Sequence, residues 1–220
     1  RHVAKVLADI RRSEHEDEPP RGPCPVLFTA KAMTLILDIV QTAINGKLVQ
    51  KGASPLVGRL GDTIADARIT LADDGTRPHG EGSDPHDGEG VPSRRTPVIE
   101  RGVLRHFLYD LQTAGLMGEQ STANAVRHFA ALPLPGVTNL VLDAGTDKAE
   151  DLVAGIETGL LVDEVIGGGQ SNTLAGEFSV NVGLGYAITI NHPFRGRTLT
   201  PALPHQQYSI RRYLCPSVAP

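Results

Sequence analysis

The chain has 220 residues, 40% of them hydrophobic and only 4% aromatic, with no Trp. That length allows one large domain or two small ones, with a core of Leu, Val, Ile and Ala rather than rings. The formal net charge is −4 and the basic residues are spread out, which excludes the basic stripe that nucleic-acid binding requires.

Residues 1–12 read as the end of a helix, and 13–25 as a linker rich in charge and proline. The first 22 residues lack the apolar stretch of a signal peptide, and the chain begins without Met, as a fragment would. No apolar run anywhere approaches the ~18–20 residues of a membrane span. Cys24 and Cys215 stand far apart and form no CxxC unit, which suits a reducing compartment. A cytoplasmic, soluble protein is expected, with no nucleic acid and no membrane among its partners.

Residues 26–28 form a short predicted strand. Thr29 is placed to cap a helix over 30–44, where Met33, Leu37, Val40 and Ile44 recur at helical spacing and Asn45-Gly46 ends it. Short alternating runs then predict strands at 47–52, 67–73, 96–110 and 178–190. Glu100-Arg101-Gly102 predicts a tight turn between 97–99 and 103–108, with Gly102 at positive φ. Helices are expected around 111–116 and through 149–162, the latter capped by Thr146 or Asp147. Residues 75–93 collect Gly, Pro and polar side chains in one long loop, and loops of that length are functional or disordered more often than neutral. The sum is an α+β fold of mixed and antiparallel sheets with a few packed helices.

The 83–110 stretch holds the densest chemistry, SDPHDGEGVPSRRTPVIERGVLRHFLYD. His79 and His86 sit in a near-duplication, PHGEGSD and PHDGEGV, among Glu81, Asp84, Asp87 and Glu89. Two imidazoles and four carboxylates are a candidate metal-binding loop, although no helical face or supporting shell holds the ligands together. Asp87, Glu89, Arg95 and Thr96 suit either a salt-bridged structural loop or one wall of a groove for an extended peptide. His106 and His128 read as ordinary residues of their segments. Ser121 and Thr122 lack an inferable His/Asp arrangement, so they read as capping or loop hydrogen-bonding groups. Gly167, Gly168 and Gly169 lack the GxxxxGK[ST] and GxGxxG patterns of phosphate loops, and read as a glycine turn between helix and strand.

Four segments taken together resemble the C-terminal half of the TldD/PmbA family, once named for modulating DNA gyrase and now grouped with metallopeptidases. They are CPVLFTAKAMTLILDIVQTAING (24–46), HDGEGVPSRRTPVIERGVLRHFLYD (86–110), STANA (121–125) and GLLVDEVIGGGQSNTLAGEFSVNVGLGY (159–186), in the family's order. The resemblance implies a preceding helix end and linker over 1–22, the family's C-terminal domain over 23–190, and a divergent, disordered or aberrant tail over 191–220. It also implies a two-subunit peptidase. The TldD-type subunit carries zinc on an HExxxH helix with a thiolate from a later loop; its PmbA/TldE-type companion shares the fold without the metal residues.

In this chain the three metal-site positions fall near Asp38, Ile39 and Ala43. Moving the alignment by a residue or two recovers nothing, because no His lies between His15 and His79. Cys215 lies beyond the resemblance and cannot be matched to the thiolate. The resemblance therefore implies a non-catalytic PmbA/TldE-like subunit with no cofactor of its own, zinc residing only in a TldD-type catalytic partner, and peptide as substrate of the pair. The alternatives are an independent metal-dependent hydrolase on the His79/His86 loop, and a truncated remnant without activity. The charge pattern lends nothing to a role on DNA.

Overall fold

The computed structural model describes residues 22–166, 178–189, 198–201 and 207–210, together with Val3 and Leu7, both helical. The α+β class expected from the sequence is the one adopted: the described residues form three sheets, mixed or antiparallel, and a few short helices. The chain divides into two compact units. No helix among the described residues is long and apolar enough to cross a membrane.

The first unit takes in residues 22–36, 146–166 and the strands that follow. Strand β1 (Val26–Phe28) runs parallel to β8 (Thr158–Ile166), with Val26 opposite Leu160. Strand β9 (Phe178–Thr189) pairs antiparallel with β8, β10 (Thr198–Pro201) and β11 (Gln207–Ile210). Leu160, Val162, Val182 and Ala32 form its buried centre. Helix α1 (Ala30–Ala43) starts at the expected cap: the Thr29 hydroxyl accepts from the Ala32 amide at 3.3 Å, and the Thr29 amide donates to Val162 at 2.9 Å. The helix expected through 149–162 is only α4 (Ala149–Ala154), and its N-cap, Lys148, makes no side-chain cap bond. Beyond Gly155 the apolar residues bury in β8 instead, so sheet packing overrides the helical pattern.

The second unit covers 37–145 among the described residues. Its sheet has the order β4-β3-β2-β7, all antiparallel, from β2 (Leu71–Asp74), β3 (Arg95–Glu100), β4 (Val103–Leu104) and β7 (Leu140–Leu142). Strands β5 (Ala125–Val126) and β6 (Leu134–Pro135) form a second, two-stranded sheet. Ile44, Val98, Leu104 and Leu108 centre the core. The tight turn is as expected, with Arg101 at φ +49° and Gly102 at φ +81°. A Cβ on Gly102 would collide with the Ala65 carbonyl, so this position requires glycine twice over.

Residues 47–52 are not the strand their alternation suggested but mostly helix α2 (Gly46–Gln50). The Asn45 side chain accepts from the Lys47 and Leu48 amides and donates to the Pro135 carbonyl at 2.7 Å. Asn45 therefore ends one helix and starts the next.

Asp73 is 1% exposed on β2. Its carboxylate accepts from the Thr138 amide and hydroxyl, both at 2.8 Å, and from the Asn124 amide group at 2.6 Å. A buried carboxylate is tolerable only when its oxygens are bonded in this way. Asp73→Ala would take the acceptor from the Thr138 amide and from one of the two bonds of the Asn124 amide group, and should lower stability by about 3 kcal/mol. The urea midpoint reads this directly; a loss under about 1 kcal/mol would mean that the network is dispensable.

Candidate functional site

The long loop 75–93 carries no regular element, yet several of its polar groups are partnered. Asp74 accepts from the Thr76 amide and hydroxyl, and the Ser83 hydroxyl donates to the Arg77 carbonyl at 2.7 Å. Asp87 is the hub. One carboxylate oxygen accepts from the Glu89 and Val91 amides at 3.0 and 2.9 Å, and the other accepts from the Ala125 amide at 3.0 Å. Glu89 reaches out of the loop to accept from the Leu111 amide at 2.7 Å, where helix α3 (Leu111–Met117) begins. Asp110 caps the same helix through the Thr113 amide. Both acids thus serve local structure, holding the loop to β5 and to α3.

The basic pair leads elsewhere. Arg94, Arg95 and Thr96 line an open cleft of about 510 Å³, opposite the 118–122 segment that follows α3. Arg94 donates across to the Ser121 carbonyl. Thr96 is buried and donates to the Thr122 carbonyl at 3.5 Å. Arg95 is half exposed, with Asp143 at 3.6 Å as its ion-pair partner. Arg105, His106, Glu119 and Gln120 add to the polar lining, while Leu60, Pro97 and Phe107 supply apolar surface. His106 Nδ1 lies 2.8 Å from the Pro97 carbonyl. A carbonyl only accepts, so this contact is a hydrogen bond with the proton on Nδ1. Ser121 and Thr122 bond the Tyr109 backbone: the Thr122 hydroxyl accepts from its amide at 2.7 Å, and Ser121 donates to its carbonyl.

Burial pushes the Tyr109 phenol above its ordinary value, and the Glu119 carboxylate pushes it further in the same direction. Its stabilising effect is present below the unfolded value of about 10 and lost as pH rises beyond it, since the native state holds the proton longer.

His79 and His86 are both exposed, and His79 adopts a positive φ of 59°. His86 pairs through its backbone with Pro92. Among the described residues no three His, Cys, Asp or Glu side chains converge in a way that could hold a metal ion. Gly167, Gly168, Gly169 and Cys215 lie outside the described residues.

A family model described as the PmbA/TldA metallopeptidase C-terminal domain matches residues 21–211. The chain belongs to this family. A metalloprotease TldD homolog from Haemophilus influenzae is 33% identical over 185 residues, covering 82% of this chain and 38% of that relative. The crystal structure of a Thermotoga maritima protein named for modulating a DNA gyrase is 32% identical, with a TM-score of 0.73 over 79% of this chain and 40% of that one. TldE from Thermococcus kodakarensis shares the fold at a TM-score of 0.77 and 24% identity, over 90% of this chain and 52% of that one. The chain thus spans between about a third and half of the length of these relatives.

Within the PmbA/TldD frame, the positions expected to carry a zinc site lie on α1. Asp38 is exposed, while Ile39 and Ala43 are each 2% exposed and apolar. Such residues do not fit a zinc ion, which needs imidazoles, a carboxylate and an open coordination position. The sequence did not single out Arg105, His106 or Glu119 as a group. The signal was present in the tight 100–103 turn, which returns Arg105 to the Val98 carbonyl at 2.8 Å and so beside Arg95 and Thr96.

Two outcomes follow for this region. In Asp87→Ala, the amides of Glu89, Val91 and Ala125 should exchange with solvent about tenfold faster or more, since each loses its acceptor. Unchanged exchange would mean that the loop holds without it. In a spectrophotometric titration, the Tyr109 phenol, isolated by difference against Tyr109→Phe, should titrate above the usual value of about 10. Glu119→Gln should bring that midpoint down; no movement would remove Glu119 as a cause.

Proposed function

We infer that the chain is a PmbA/TldE-like subunit, or part of one, that carries no zinc itself and works beside a TldD-type subunit that does. The observation behind this reading is the state of α1. Two of the three positions where the family resemblance places HExxxH hold Ile39 and Ala43, buried apolar residues of the packed interior. A helix face used for packing has no opening for a metal-bound water. The substrate class of the pair would be unfolded peptides or small proteins, held by strand addition at a sheet edge. In the described residues β7 stands at one end of the four-stranded sheet of the second unit and is a candidate edge.

A metal hydrolase built on His79 and His86 has no comparable support, because both residues are exposed and no third ligand joins them among the described residues. The remnant alternative makes a different claim, that the chain has no cooperative fold.

The test is co-expression of the tagged chain with an HExxxH-bearing homologue, followed by zinc analysis and peptide cleavage. The chain alone should melt cooperatively, bind no stoichiometric zinc and cleave nothing; zinc and cleavage should appear only with the partner. One zinc per isolated chain, lost in His86→Ala, would overturn the reading. Failure of the HExxxH homologue to co-purify would also count against it.

A further inference from the structure

The cleft bounded by Arg94, Arg95 and Arg105 gathers three guanidinium groups whose partners are a backbone carbonyl and two half-exposed carboxylates. Three guanidinium groups and one carboxylate, Glu119, line it, in a chain whose formal charge is −4. Arg94 is tied to the Ser121 carbonyl, which fixes one guanidinium in place across the cleft. Arg95 approaches Asp143 only to 3.6 Å, and its guanidinium makes no hydrogen bond among the described residues. Arg105 pairs with Glu100 at 3.1 Å, but both side chains are about half exposed. Exposed pairs of this kind contribute little, so an incoming anion can displace them at low cost.

The shape and lining narrow the anion. A cleft of about 510 Å³ lies in the range of small-ligand and peptide-side-chain sites. Leu60 is 52% exposed at its wall, and with Pro97 it offers an apolar surface next to the guanidiniums. Nucleic acid would need a basic track and exposed aromatic faces for stacking. Here Phe107 and Tyr109 are 4% and 6% exposed, so neither ring is available as a platform. Arginine forks grip a planar carboxylate through paired hydrogen bonds.

We propose that the Arg94, Arg95 and Arg105 cleft captures a carboxylate of an extended peptide, either an Asp or Glu side chain or the C-terminus, with a neighbouring apolar side chain against Leu60 and Pro97. The proposal rests on the peptide-handling part of the reading above and gives it a selectivity: acidic segments over neutral ones. Arg95 and Arg105 are the specificity-determining residues, and Arg94 both binds and braces the wall.

The experiment is titration calorimetry of the 220-residue chain with four leucine-containing hexapeptides. They differ only in Glu against Gln at one position and in a free against an amidated C-terminus. Either carboxylate should raise affinity about tenfold or more over the doubly neutral peptide, and whichever does so identifies the source. Arg95→Gln and Arg105→Gln should each remove most of that gain and leave the neutral peptide's affinity unchanged. Both side chains are half exposed, so melting temperatures should hold. Equal affinity for acidic and neutral peptides, no effect of either substitution, or tighter binding of a thymidine dodecamer than of the acidic peptide would each overturn the proposal. Its failure is separable from failure of the subunit reading. An HExxxH homologue can co-purify while peptides go undiscriminated, which sinks only the cleft. Carboxylate-dependent binding without any such partner sinks only the pairing.

Discussion

A buried carboxylate has to be surrounded by donors before the chain around it can close, and Asp73 sets that condition for the second unit. Its donors come from Thr138 and Asn124, positions 65 and 51 residues away in sequence. Meeting the condition joins the β2 strand to the segment before β7 and to the segment before β5. Next along the chain, Asp74 and Asn139 exchange backbone and side-chain bonds at 3.0 and 2.8 Å, and Asn139 also takes the Gly82 amide. The long loop therefore leaves and returns through a fixed frame. Asp87 then ties its far side to Ala125, one residue from Asn124. The cost of an unpaired buried charge is what makes these separate pieces one cooperative arrangement.

That frame divides the labour of the DGEGVPSRRT stretch. Asp87 and Glu89 bond backbone amides inside and just outside the loop. Arg95 instead faces Asp143 at 3.6 Å, with both side chains about half exposed. Acids and arginines close together in sequence suggest one salt-bridged cluster, yet they serve different ends of the same segment. Backbone amides outcompete the guanidiniums for the carboxylates because they are already held in place and lose no side-chain entropy on bonding.

The parts of the fold that could be read from sequence are those fixed by local chemistry. The Thr29 cap, the helix that follows and the Arg101-Gly102 turn depend on neighbours within a few residues, whereas strand Val26–Phe28, also readable, is completed by pairing with Thr158–Ile166. Residues 46–50 misled because their alternation is genuine but Asn45 supplies a helix start, reinforced by Pro135 ninety residues away. Residues 155–162 misled for the opposite reason: a helical pattern of apolar residues is claimed by the neighbouring strands. The cleft was half legible. Arg95 and Thr96 stood out as a possible groove wall, but Arg105 and Glu119 join them only through a turn and a helix end, and spacing alone does not carry that convergence.

The α1 positions show why a PmbA/TldD chain with Asp38, Ile39 and Ala43 at these places is a stable fold. Suppose His, Glu and His were written at 38, 39 and 43. The glutamate would replace an isoleucine side chain that is fully buried, and an imidazole would need room beside Ile44 where only a methyl group now fits. A buried carboxylate without partners costs several kcal/mol, and overpacking adds about 1–3 more. The interior would therefore resist the metal site that the same helix is expected to carry in TldD-type relatives. Regaining zinc would require opening the core around Ile39 and Ala43 before any ligand could be placed.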